Sequence, residues 1–232
     1  MISILCPTRG RPGRIRHLVA TATKYATQRP RFVFYIDVDD RISFRTAQAL
    51  QQEGHNLAWR SDTRHTRPMS DWWNACAEMI GDDSIVMFVD DEAEFQTVAW
   101  DIWVEREFDR WPDRAVLVQP NDTIHRDADA GYFFVHWPTW REIFGRLTPP
   151  YFSYGYADVW PMEVARAAGR KVYLNRVVIE NLAPKLQPPD RTHEENQERA
   201  ARDRTGDLYN ALQRDRESEV KKLLAYVQRH GA

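Results

Sequence analysis

Three consecutive carboxylates, Asp90, Asp91 and Glu92, directly follow the apolar run Ile85-Val86-Met87-Phe88-Val89. Acids crowded at the exit of a buried strand repel one another unless something cationic sits beside them. Hard oxygen ligands of this kind suit Mn²⁺ or Mg²⁺, above all where phosphate oxygens complete the shell. An acidic turn that pairs with arginine or caps a helix is the competing reading. Asp37, Asp39 and Asp40 close the run Arg31 to Ile36 in the same manner. They can accept hydrogen bonds from a ribose or a base, and a solvated acidic loop is their alternative.

Upstream, Pro7-Thr8-Arg9-Gly10-Arg11-Pro12-Gly13-Arg14 forms a glycine-containing turn ahead of a helix start, where backbone N–H groups and guanidinium forks meet anions. It lacks the Gly-Lys-Ser/Thr ending of a Walker A loop. Arg64 and Arg67 are further candidates for phosphate contact, against a plain surface role. Downstream, Asp158 follows Tyr154-Gly155-Tyr156-Ala157 and opens a predicted helix, so it is either a helix-start acid or an acid beside an aromatic sugar-handling loop. Trp137, Trp140, Tyr151, Phe152, Tyr154, Tyr156 and Trp160 crowd that region. Their flat faces can stack on a sugar ring or a nucleobase, and core packing competes for the same residues.

The elements that must position these groups alternate. Ile2 to Cys6 reads as a buried strand, Arg14 to Gln28 as a helix, Arg31 to Ile36 as a strand, Arg45 to Glu53 as a helix stopped by Gly54, and Asn56 to Arg60 as a strand. Ser70 is placed to cap a helix running to Gly81, and Ser84 to Val89 is the clearest strand. Such alternation predicts βαβ units, whose ligands gather at the carboxyl ends of parallel strands. Three polar clusters from distant sequence therefore converge on one edge. Beyond them come strands near Ala115 to Gln119, Tyr132 to Val135 and Lys171 to Ile179, with a helix near Val159 to Ala168, which predicts a mixed extension of the sheet. From Arg191 onward, mixed charges predict one or two solvated helices with a narrow apolar stripe of Leu208, Leu212, Leu223, Leu224 and Val227.

Composition sets the outer bounds. The chain has 232 residues, 43% hydrophobic, with 32 Lys+Arg against 34 Asp+Glu. That is enough apolar surface for a packed core and leaves no global field to draw it to nucleic acid. Two cysteines, Cys6 and Cys76, cannot build a disulfide framework and are expected in the core. No membrane span or signal segment is expected, which predicts a cytoplasmic protein.

Taken in order, these segments resemble the GT-A glycosyltransferases of the family 2 type over roughly residues 2 to 185. Ile2-Ser3-Ile4-Leu5-Cys6-Pro7-Thr8-Arg9-Gly10-Arg11 is similar to that family's first strand and its Pro-Thr-x-x-Arg turn. Asp37-Val38-Asp39-Asp40 resembles the base-contacting segment, Asn74-Ala75-Cys76 the Asn before the fourth strand, and Asp90-Asp91-Glu92 the DxD motif, with Glu92 reaching further than Asp.

The resemblance implies an α/β GT-A (Rossmann-like) fold: a mostly parallel central sheet flanked by helices, over residues 1–190, with a helical C-terminal extension over 191–232. Residues 1–95 would be the nucleotide-sugar half and 96–190 the acceptor half. It implies Mn²⁺ or Mg²⁺ on Asp91 and Glu92. A donor, by preference a UDP-sugar, would lie on Pro7, Thr8, Arg9, Arg11, Asp37, Asp39, Arg67, Asn74, Asp90 and Asp91. Asp158 would be the general base of an inverting transfer. The acceptor, a saccharide or a modified DNA base, would meet Tyr154, Tyr156 and Trp160. Where the family often has a metal-binding His, this chain has Asn181, and His193 is the nearby substitute. A nucleotidyltransferase or a catalytically silent nucleotide-sugar-binding module on the same fold is the alternative.

Overall fold

The computed structural model describes residues 1–63, 67–81, 85–185 and 191–231; Arg64 and Ser84 lie outside the described residues. Its first strand, β1 (Ile2–Thr8), is buried at all 7 positions, as a strand covered on both faces must be. Pro12 lies in the first turn of α1 (Pro12–Tyr25), where its missing N–H costs nothing, so the helix starts two residues before the predicted Arg14. After β2 (Arg31–Ile36), Asp40 caps α2 (Arg41–Gln52) by accepting the Ser43 N–H at 3.2 Å. The same carboxylate accepts the Gly10 N–H at 2.7 Å, so Asp40 welds the first loop to the second.

Following β3 (Leu57–Arg60), a 3₁₀ turn at Met69–Asp71 leads into the short α3 (Trp72–Ala77). Ser70 does not cap it, contrary to expectation. Its hydroxyl accepts the Phe152 N–H at 2.9 Å and its own N–H donates to the Phe152 carbonyl at 3.0 Å, which ties this turn to the distant aromatic loop. The chain continues through β4 (Ile85–Phe88), β5 (Ala93–Phe95), α4 (Trp100–Asp109), β6 (Leu117–Asn121), β7 (Phe133–His136), α5 (Trp137–Phe144), α6 (Val159–Ala167) and β8 (Lys171–Asn181). Three helices close it: α7 (Arg191–Arg202), α8 (Thr205–Ala211) and α9 (Gln213–His230).

Among the described residues the strands form one 8-stranded sheet in the order β3-β2-β1-β4-β7-β6-β8-β5. Its first four strands run parallel, and β7 then pairs antiparallel with β4 in the register Phe88↔Phe133. That reversal brings the exit of β4 and the entry of β7 to the same end of the sheet. One face is packed by Ile4, Leu18, Phe34, Trp100 and Phe134, the other by Leu5, Val33, Trp73, Phe133 and Met162. Both cysteines are free and buried in these layers. No helix among the described residues is long and apolar enough to cross a membrane.

A third apolar cluster joins α6 to the C-terminal helices through Phe152, Trp160, Tyr209, Leu223 and Tyr226. The predicted stripe is corrected here, because Leu224 is 45% exposed while Tyr209 and Tyr226 take the inner face. Leu223→Ala should accordingly cost about 2–5 kcal/mol in urea denaturation. Leu224→Ala should stay within about 0.5 kcal/mol of wild type.

Candidate functional site

The first loop meets the carboxylates that follow β4. Thr8, at the end of β1, donates its hydroxyl to Asp91 Oδ2 at 2.6 Å. Arg11 Nη1 donates to Asp91 Oδ1 at 2.9 Å, and Arg14 forms an ion pair with Glu92. Asp91 is 3% exposed, and burial raises its pKa against the opposing pull of Arg11 and Thr8. Arginine pairing, the bland reading of the triplet, is thus present at Asp91 and Glu92. Asp90 differs: its Oδ1 accepts the Glu92 N–H at 2.9 Å and the Tyr132 hydroxyl at 2.7 Å, and it has no arginine partner among the ion pairs of the described residues. Burial, and then the charge of Glu92, push it up to about 7.

At the end of β2, Arg9 forks onto Asp39 at 2.6 and 2.9 Å and reaches Asp37 at 2.9 Å. The hydrogen bond to Asp39 foremost raises the Arg9 pKa, so this guanidinium stays charged. Asp158 precedes α6 and accepts the Gly131 N–H on Oδ2 at 2.7 Å. Burial raises its pKa, and the Gly131 bond opposes the rise.

Most of these groups line one cleft of about 300 Å³. Pro7, Thr8, Arg9, Arg11, Asp37, Asp90, Asp91, Glu92, Tyr154, Asp158 and His193 all contribute to its wall. Its apolar side is built from Tyr35, Met69, Trp72, Trp73 and Phe88, with Tyr35 stacked on Trp72 at 5.6 Å and Trp73 on Phe88 at 4.1 Å. The Trp72 indole N–H is buried without a hydrogen-bond partner among the described residues. A lone donor in a cleft wall costs stability that an acceptor atom brought by a ligand would restore.

Other predicted site residues stand elsewhere. Asp39 sits behind Arg9 and is absent from the wall. Arg67 pairs with Asp62 and Asp71 and borders a neighbouring groove. Asn181 closes β8, where its side chain accepts the Ala183 N–H at 2.9 Å, so His193 is the one of that pair placed in the cleft. Tyr156 stacks on Tyr209 of α8 at 4.2 Å, and Trp160, 1% exposed, donates to Glu219 of α9 at 2.6 Å. These two aromatics dock the C-terminal helices and do not face the cleft.

Asn74 uses its amide to hold a loop: Oδ1 accepts the N–H groups of Leu147 and Thr148 at 2.9 and 3.0 Å, and Nδ2 donates to Asp71 and the Thr148 carbonyl. Asn74→Ala should lower stability by about 1–3 kcal/mol in chemical denaturation, since two amides at buried residues lose their acceptor, and should leave nucleotide affinity unchanged in calorimetry.

Reasoning from sequence missed the roof. Thr192, Glu195, Asn196 and Arg199 of α7 line the cleft beside His193, whose Nδ1 lies 3.4 Å from the Tyr154 hydroxyl. Tyr132 was also missed as a partner of Asp90. Its signal was its place at the entry of a strand antiparallel to β4.

Solved structures share this architecture. The mannosyltransferase PcManGT from Pyrobaculum calidifontis, in complex with GDP-Man and Mn²⁺, has a TM-score of 0.61 at 12% identity, over 99% of this chain and 73% of that one. GalNAc-T7 with UDP, GalNAc and Mn²⁺ has 0.62 at 11% identity, over 100% of this chain and 55% of that one. TarS of S. aureus has 0.61 at 10% identity, covering 77% of this chain, which spans 36% of TarS. No protein-family model and no curated protein sequence matches the chain. Architecture and structural likeness agree: the chain has a GT-A-type fold.

Proposed function

We propose that this protein is a metal-dependent, inverting glycosyltransferase that moves a sugar from a nucleotide diphosphate, by preference a UDP-sugar, to an acceptor hydroxyl on a saccharide. The observation that carries the reading is the gathering of Arg9 and Asp37, the Asp90–Glu92 acids and Asp158 into one cleft. Structural neighbours whose complexes hold UDP or GDP-Man with Mn²⁺ support it.

The donor set can be tested against a cation. Among the described residues no three His, Cys, Asp or Glu side chains form a metal site by themselves. A cation that shares its shell with substrate phosphates needs only one or two carboxylates. Glu92 at the cleft wall, beside an Asp90 that burial, and then the charge of Glu92, push up to about 7, fits that need. Asp91 and Glu92 would hold the ion, with His193 of the same cleft as a further ligand. When bound, the ion would neutralise charge developing on the departing diphosphate.

The chain's own residues supply the rest. Arg9, fixed by Asp37 and Asp39, grips the nucleoside end, and the Tyr35–Trp72 stack offers it a flat apolar wall. Arg11 and Arg14 stand within reach of the same acids and can shift a guanidinium fork onto phosphate oxygens. Asp158, held by Gly131, takes the proton from the acceptor hydroxyl as it attacks from the face opposite the leaving group. The net charge of -2 favours a saccharide over a modified DNA base as acceptor. The first loop has arginines but no lysine before Lys24, which favours sugar transfer over nucleotidyl transfer.

A panel of nucleotide sugars, titrated by calorimetry with and without Mn²⁺ and followed for donor hydrolysis, tests the assignment. Mn²⁺-dependent binding with slow hydrolysis of one donor is the expected outcome. Wild-type protein that binds no nucleotide sugar would sink it, and binding without turnover on any acceptor would point to a silent binding module.

A further inference from the structure

We propose that Gly131 and Tyr132 form a two-residue clamp that sets the spacing between Asp90 and Asp158, with Tyr132 as a positioning residue for the donor end of the cleft. The inference rests on the reading of the cleft given above. Tyr132 directly precedes β7, and the register Phe88↔Phe133 places it alongside the exit of β4. Tyr132 is 2% exposed, and its hydroxyl donates to Asp90 Oδ1 at 2.7 Å. The residue before it donates its backbone N–H to Asp158 Oδ2 at 2.7 Å. Two adjacent residues thus hold the acid that follows β4 and the acid that precedes α6, which stand 68 positions apart by subtraction of their numbers.

The clamp is itself braced. Gly131 has φ +101°, a region that favours glycine, and a Cβ there would lie 2.2 Å from Asp122 Oδ2. Asp122 cannot readily yield, because Oδ2 is 2.6 Å from His125 Nδ1 while Oδ1 accepts the N–H groups of Ile124 and His125 at 3.1 and 2.8 Å. A short, charge-assisted bond to a carboxylate fixes where that carboxylate points. Groups that orient a site's acids in this way typically change affinity or activity about 10–100-fold when removed.

Tyr132→Phe keeps the ring and its packing and deletes the hydroxyl. The expected result is a rise of about 10-fold or more in the dissociation constant of UDP with Mn²⁺, read by calorimetry, with kcat for donor hydrolysis within about 3-fold of wild type. Gly131→Ala moves the anchor of Asp158 and is expected to show the reverse split: kcat down about 10–100-fold with UDP affinity retained. Should Gly131→Ala fail to fold, Tyr132→Phe decides alone. Wild type that binds and hydrolyses its donor while Tyr132→Phe matches it in both parameters would overturn the clamp and leave the function standing. A fall of both parameters together with a lower melting temperature would equally overturn it, since that is what loss of packing does. Wild type that binds no nucleotide sugar would overturn both readings.

Discussion

Replacing Asp158 by Asn is expected to lower kcat for sugar transfer about 10²–10⁴-fold while donor affinity stays within about 2-fold. The amide keeps the carboxylate's shape and an oxygen to accept the Gly131 N–H, so what is lost is the ability to take a proton. Burial raises the pKa of Asp158, so this base ionises at a higher pH than an ordinary aspartate does. The wild-type rate should therefore climb with pH through that raised value, and Asp158→Asn should lose this limb of the profile. Stability runs the other way. A carboxyl whose native pKa is raised binds its proton more tightly folded than unfolded, so its stabilising contribution is present at low pH and is lost as pH rises through the native pKa. Urea midpoints of the two proteins across that window measure the second effect, and stopped assays of product measure the first. A variant that keeps both its rate and its pH profile would remove Asp158 from the chemistry.

Asp91→Ala and Glu92→Ala should fail in different ways, although the residues are adjacent. Asp91 is buried between the Thr8 hydroxyl and the Arg11 guanidinium. Removing it strips a cation with 16% of its side chain exposed of its nearest counter-charge, and breaking such a pair costs about 3–5 kcal/mol. Glu92 and Arg14 form a partly buried pair, at 16% and 23% side-chain exposure, and Arg14 keeps Asp91 at 3.9 Å as a second counter-charge when Glu92 is removed, so the loss is smaller. Glu92→Ala should fold normally by circular dichroism yet lose the difference in UDP-sugar affinity between Mn²⁺ and metal-free buffer. Retention of that difference would take Glu92 out of the metal site. Normal stability in Asp91→Ala would show that the Thr8 and Arg11 contacts contribute little.

The parallel half of the fold was readable because its strands are continuous apolar runs that end abruptly in charge. β1, β2 and β4 all have this form, and their exits hold Thr8, Asp37 and Asp90. The antiparallel half was harder. β5 has only three residues, α5 opens with Trp137-Pro138 directly after a strand, and α4 follows a left-handed Ala99 (φ 56°) with no side-chain cap. Periodicity needs more length than β5 offers, and start signals need a capping residue that α4 lacks.

Site residues divided along the same physical line. Those carried by strand ends could be placed from strand order alone, whereas Asn74, Tyr156 and Trp160 depend on partners at Leu147, Tyr209 and Glu219 that no local pattern announces. The charged segment from Arg191 resembles a solvated face, yet α7 brings His193 and Asn196 to the cleft wall.

The span of sequence that surrounds the cleft, from Pro7 to Arg199, bears on how the chain folds. Thr8 meets Asp91 across 83 positions and Tyr154 meets His193 across 39, so the walls close only after long loops have paid their closure entropy. Sheet pairing between β1 and β2 precedes that closure in sequence distance, and the α7 roof adds the most C-terminal part of the wall. A nucleotide that touches floor and roof together has little affinity for any partly threaded chain. Its mass action therefore falls on the completed fold alone: at a free concentration 100 times Kd it adds about 2.7 kcal/mol to folding. If the donor proposed above binds in this cleft, a thermal shift with it should report the arrival of α7 as much as the occupancy of the site.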